Sequence, residues 1–236
     1  MESTRSSVFL YNFASISIIK SRAVRQESEK QYLTRLISEG EHQQQDFKYR
    51  VADAVKLARS VSAFANTDGG RLLIGVRDDG HLSGVRSEEE IFMMHQAAYR
   101  YCRPEASIKF DTYHVEGRTI VVATVPPSEK RPVCAMDEEG RQRAYIRIAD
   151  ENIVASPVHI ALWREAQRAE GGMMTYSEEV RRLLSGMQGQ RLPLGQVVRR
   201  AGIPRRKAIG LLTRLIRFRV AQWAYDGQQF LFSLCE

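Results

Sequence analysis

Long apolar runs are missing from this 236-residue sequence. None approaches the ~20 consecutive apolar residues that a membrane-spanning helix requires, so no membrane is expected as a partner. Cysteine is scarce too. Cys102, Cys134 and Cys235 are far apart, odd in number and without CxxC spacing. That argues against a disulfide framework and a cysteine zinc site, and it fits a reducing, cytoplasmic setting. The histidines at 42, 81, 95, 114 and 159 fall on different predicted elements, without HExxH spacing. No GxxxxGK[ST] phosphate loop or GxSxG nucleophile elbow is present, and Gly75, Gly80 and Gly84 do not spell GxGxxG. Residues 1–29 lack the marks of a leader. Asn12, Ser15 and Ser17 interrupt the apolar stretch, and no small-x-small cleavage site follows. A loosely ordered arm, or one extra strand on a sheet edge, is the expectation there.

What the sequence does have is an ordinary core composition and an uneven charge. Hydrophobic residues make up 43% and charged residues 27%, as in globular chains. The formal charge of +7 sits in the last quarter. Residues 175–236 hold 11 Lys and Arg against 4 Asp and Glu, leaving 24 of each sign in the first 174. That asymmetry points to an anionic partner for the C-terminal segment.

The stretch from Glu41 to Gly84 organises the chain. Ala54, Leu57, Ala58, Val61, Phe64 and Ala65 recur at helical spacing, which predicts an amphipathic helix over Asp53–Ala65. Asn66 and Gly69-Gly70 stop it. Leu72 to Val76 is a short unbroken apolar run, the pattern of a strand buried on both faces, and Asp78-Asp79-Gly80 turns the chain back. The result is a strand–helix–strand–turn unit. Upstream, Glu29–Ser38 is helical. Downstream, a helix begins at Ser87; its Met93 and Met94, with Tyr99, read as packing residues. A hairpin joins Ser107–His114 to Thr119–Val125, Ala144–Ile148 is a strand, and Ser156-Pro157 opens a helix through Arg168.

The blocks Ala63-Phe64-Ala65-Asn66-Thr67-Asp68-Gly69-Gly70 and Ile74-Gly75-Val76-Arg77-Asp78-Asp79-Gly80 follow Glu41 and Asp46-Phe47-Lys48. Together they resemble the Schlafen-type AlbA-like domain, a nucleic-acid-binding domain of bacterial regulators and of the animal Schlafen core. The resemblance continues in Val125-Pro126-Pro127-Ser128 and Tyr145-Ile146-Arg147-Ile148, and spans about residues 31–168. It implies a three-carboxylate site at Glu41, Asp46 and Asp78, linked in the family to metal-dependent RNA cleavage. The family more often has Glu where this chain has Asp46. Such oxygen ligands suit Mg²⁺ or Mn²⁺. The plain alternative is that Glu41 and Asp46 are solvated, or pair with Lys48, Arg50 or Arg77.

Gly171-Gly172 marks the expected boundary between a domain over 30–170 and a second over 175–236. The second reads as helices over Glu178–Met187, Leu194–Arg200 and Pro204–Phe218, then a hairpin around Asp226-Gly227. That order resembles the winged helix-turn-helix. Its third helix carries Arg205, Arg206 and Lys207 in the first turn, with Arg214 and Arg217 beyond, where a recognition helix meets phosphates and base edges. Lys48, Arg50 and Arg147 are the basic candidates in the first domain.

The expected fold is α+β, an AlbA-like domain followed by a winged helix. The expected function is DNA binding, as a cytoplasmic transcriptional regulator, with DNA favoured over RNA. A homodimer would match paired half-sites, with the helix from Pro157 as an interface element. The alternatives are a divalent-metal RNA endonuclease using the acidic trio, and an assembly protein that docks a partner through the winged helix.

Overall fold

The computed structural model describes residues 28–85, 87–167 and 175–235. Most of the expected N-terminal arm and the Gly171-Gly172 boundary lie outside the described residues. The chain divides into two units, residues 1–39 and 40–236. In the first, helix α1 (Glu29–Glu39) starts at Ser28. Ser28 and Gln31 exchange side-chain-to-backbone hydrogen bonds, 3.0 and 3.2 Å long, in a capping-box arrangement.

The second unit begins with β1 (Gln45–Lys48), α2 (Ala54–Asn66), β2 (Gly70–Ile74) and α3 (Glu88–His95). It continues through β3 (Cys102–Arg103), β4 (Lys109–Val115), β5 (Arg118–Val125), β6 (Cys134–Met136), β7 (Gln142–Ile148), β8 (Glu151–Val154) and α4 (Pro157–Ala166). Two four-stranded sheets form, in the orders β1-β2-β5-β4 and β3-β6-β7-β8. β1 and β2 are parallel, joined by the α2 crossover; β2–β5 and β5–β4 are antiparallel. The β4–β5 hairpin turns at Glu116-Gly117, both at positive φ. The fold is α+β, as composition and pattern predict.

Helix α2 is buried further round than its apolar stripe suggests. Ala58, Val61 and Phe64 share one apolar core with Leu72 and Ile74 of β2, Val121 and Ala123 of β5, and Ala135 and Tyr145 of the second sheet. Asp53 caps the helix by accepting from Lys56 N at 3.0 Å. Short β3, β6 and β8 are not evident in the sequence, because two to four residues carry too little alternation to read.

Beyond residue 174 come α5 (Glu178–Met187), β9 (Leu192–Pro193), α6 (Leu194–Ala201), α7 (Arg205–Arg217), β10 (Ala221–Tyr225) and β11 (Phe230–Leu234). The strands pair in the order β10-β11-β9. A second apolar core joins Val180, Leu183, Val197, Leu212, Leu215 and Phe232. Val158 of α4 belongs to this core, and Leu162 packs against it. The apolar face of α4 is therefore used within the chain, against α7. Ser156 caps α4 in a reciprocal exchange with His159. Among the described residues no helix is long and apolar enough to cross a membrane.

Candidate nucleic-acid interface

The acidic trio is only partly assembled. β1 carries Asp46 into a buried position, where Oδ2 lies 2.7 Å from Lys48 Nζ and Oδ1 lies 3.4 Å from Arg147 Nη2. Glu41 accepts from Phe47 N at 2.8 Å. Burial pushes the Glu41 pKa up, and the adjoining Asp46 carboxyl adds to the shift. Asp78 is exposed in the turn after β2. Among the described residues no group of three or more His, Cys, Asp or Glu is arranged to hold a metal ion. In this arrangement the Asp46 and Glu41 carboxyls are engaged within the chain. Both Asp46 oxygens face cations of the chain itself, and Glu41 holds its proton more tightly than a free carboxyl.

Arg147, expected at a nucleic-acid surface, is instead a core residue. Its side chain is 1% exposed. The guanidinium stacks on the Phe64 ring at 5.1 Å and donates to Gln45 O at 3.1 Å and Asn152 Oδ1 at 3.1 Å. A buried carboxylate needs such a partner, and that need draws arginine inward. Lys48 is half-buried on Asp46, and Arg50 is exposed.

The motif blocks hold the two sheets together. Asn66 donates to Val133 O at 2.8 Å and Tyr145 O at 2.9 Å, and accepts from Val133 N at 2.8 Å. Ser62 donates to Val133 O and accepts from Tyr145 N. A Cβ on Gly70 would stand 2.3 Å from the Phe64 ring, and one on Gly75, at φ +86°, 2.8 Å from the Gly84 backbone. Gln43 reaches from the opening polar run to Arg147 O at 2.9 Å and accepts from Ala149 N. These residues explain the motif spacing by close packing and buried hydrogen bonds.

The basic helix is different. Gly202 leaves α6 in the left-handed conformation, and α7 starts after Pro204 without a side-chain cap. Arg205, Arg206 and Arg214 are exposed, and among the described residues they form no ion pair. Lys207 pairs with Glu179, and Arg217 lies 3.3 Å from Glu165 of α4. A groove along α7 is lined by Pro204, Arg206, Lys207, Gly210, Leu211 and Arg214. A Cβ on Gly210 would meet nothing within 4 Å, so this stretch of the helix surface is bare. Sequence reasoning missed Arg199 and Arg200, exposed in the last turn of α6 just before α7. Their adjacency to the turn was the available signal.

Residues 41–156 match the family model described as Schlafen, AlbA_2. No curated protein matches the chain. Among solved structures, the chain is similar to the DIP2311 protein from Corynebacterium diphtheriae, at 19% identity with a TM-score of 0.43. That likeness covers 92% of this chain and 38% of the other, so the chain spans about 38% of that protein's length. It is also similar to the N-terminal domain of a RecG-related protein from Nitrosomonas europaea, at 19% identity and a TM-score of 0.35. That likeness covers 63% of this chain and 95% of the other. The family match begins at Glu41 and takes in α2, its Asn66 cross-link and both sheets, so residues 41–156 form a domain of the Schlafen AlbA_2 type.

Proposed function

We propose that this protein is a nucleic-acid-binding protein whose α7 enters the major groove of DNA, and that it serves as a transcriptional regulator. One observation carries the reading. Arg205, Arg206 and Arg214 point outward along a single helix with no internal ion pairs to release. The helix–turn–helix–hairpin order around α7, with β9 pairing β11, supports a winged helix. The match of residues 41–156 to the Schlafen AlbA_2 model supports a nucleic-acid partner. At the start of α7 the Arg205 and Arg206 backbone N–H groups have no helical acceptor, so they suit phosphate oxygens. Arg206 and Arg214 are spaced to face the groove floor or its walls, and the bare surface at Gly210 between them allows close approach.

The test is an anisotropy titration of duplex DNA over a salt series, after enrichment of genomic fragments on the immobilised protein. The wild-type chain should select a preferred sequence and lose affinity steeply with salt. Changing Arg205, Arg206 and Lys207 together to Ala should abolish specific binding and flatten the salt slope by about one unit per lost phosphate contact. Equal, equally salt-dependent binding by the triple variant would overturn this placement of the site.

A further inference from the structure

A second surface, on the Schlafen AlbA_2 segment, combines exposed rings with unpaired arginines. Phe92, His95, Gln96 and Tyr99 lie at i, i+3, i+4 and i+7, so they share one face of α3 and its continuation. Phe92 is 59% exposed and Tyr99 41% exposed. Both line one groove instead of standing singly on the surface. The His95 and Tyr99 rings stack with centroids 5.8 Å apart and planes 17° apart, and His95 rests on Phe110 at 4.6 Å. Phe92, His95 and Tyr99, with Gln96, Arg100 and Arg103, line an open groove of about 410 Å³. No acidic side chain lines it.

The backbone is unusual at the same place. Over Gln96–Arg100 the helix widens into one π turn, and Tyr101 N donates to Gln96 O, five residues back, at 3.0 Å. Such turns are rare and concentrate at functional sites. The turn sets Tyr99 beside Arg103, whose Nη1 donates to Tyr99 O at 3.0 Å and Cys102 O at 2.8 Å. That fixes the guanidinium at the groove's edge with its remaining N–H groups available. Arg100 lies over the Tyr101 ring at 5.7 Å. Among the described residues neither arginine forms an ion pair.

We infer that the face formed by Phe92, His95 and Tyr99, flanked by Arg100 and Arg103, is a stacking site for single-stranded nucleic acid. Rings offer a platform to any base, and the two arginines meet the phosphates between stacked bases. This goes beyond the duplex contact of α7 and does not depend on it. The groove offers a phosphate two arginines and offers a peptide's cations no carboxylate.

The experiment follows the full chain with fluorescein-labelled dT12, U12 and a DNA duplex by anisotropy. The double change Phe92→Ala with Tyr99→Ala should weaken both single strands about tenfold or more, and leave duplex binding unchanged. Phe92→Tyr should retain the ring and the affinity. Arg100→Ala should lower the salt dependence for single strands only. The α7 triple variant should keep the Phe92-dependent part of single-strand binding, so a failure of the duplex reading shows separately. Absent single-strand binding by the wild type, or binding indifferent to the double change, would overturn the inference. So would a concentration-dependent dimer in sedimentation that the double change abolishes, which would assign the face to self-association.

Discussion

Arg147 and Arg206 are the same residue in opposite circumstances. Arg147 sits in the most motif-rich part of the chain, and its guanidinium is enclosed by Asp46, Phe64 and backbone carbonyls. Arg206 sits in a stretch with weak motif content and faces solvent with no ion pair. The contrast extends to their neighbours. In the segment 41–156 the polar motif residues Gln43, Asn66 and Asp46 all bond inward. In the segment after 174 the polar surplus is cationic and points outward. A specific motif records how tightly a fold constrains its residues, and a functional surface can lie where that constraint is weakest.

The widest test of this contrast removes the buried cation. Arg147→Ala leaves Asp46 in the core with Lys48 alone, and should cost about 3–5 kcal/mol in urea unfolding. Adding Asp46→Asn should return part of that loss, because no buried charge then lacks its partner. Duplex binding per folded molecule should be unchanged. A stability close to wild type would show that Arg147 is not the counter-ion the geometry makes it.

Acid offers a test beside the C-terminal core, in α4. Burial holds His159 down to about 4, against an ordinary value of 6.5. It packs against Trp223 at 4.6 Å and Phe230 at 4.5 Å, and its Nε2 has no hydrogen-bond partner. Between those two pH values the unfolded chain binds the extra proton and the folded chain does not. Stability is therefore fully present above pH 6.5 and falls as pH drops towards 4, by about 3 kcal/mol in all. Glu41, raised by burial, contributes with the opposite sign, so the comparison needs a variant. His159→Phe should flatten the slope, although it gives up the Ser156 exchange. Parallel pH profiles for the two proteins would remove His159 as the cause.

The smallest expected effect sharpens the contrast most. Gly210 sits inside α7, where glycine costs roughly 1 kcal/mol relative to alanine. No neighbour explains its presence. Gly210→Ala should raise the melting temperature slightly while weakening duplex binding through the added methyl. A gain in both would mean that the bare helix face has no part in binding.

Much of the fold was legible because its signals were local. The α2 period, the Gly69-Gly70 exit, the Glu116-Gly117 turn and the Ser156-Pro157 helix start all act over a few residues. The partners of buried groups were not legible. Nothing near Arg147 in the sequence shows that Asp46, a hundred residues earlier, waits beside it. Ser60, Ser62 and Asn66 look like the polar face of an amphipathic helix, yet all are buried because the second sheet covers that side. The single-strand face was missed for a related reason. Tyr99 has the spacing of a packing residue, and only the tertiary structure leaves it uncovered.

The position of α4 changes how the molecule can be divided. It follows β8 after two residues, yet its Val158 completes the apolar core beneath α7. A fragment cut at the glycine pair would leave α4 behind, stripping one core of a wall and leaving an apolar helix dangling from the other. A C-terminal fragment that keeps this core whole would begin near Ser156, inside the segment that the sequence reading assigns to its neighbour. The family match also stops there, at residue 156, so both borders fall ahead of α4 and not at the glycine pair.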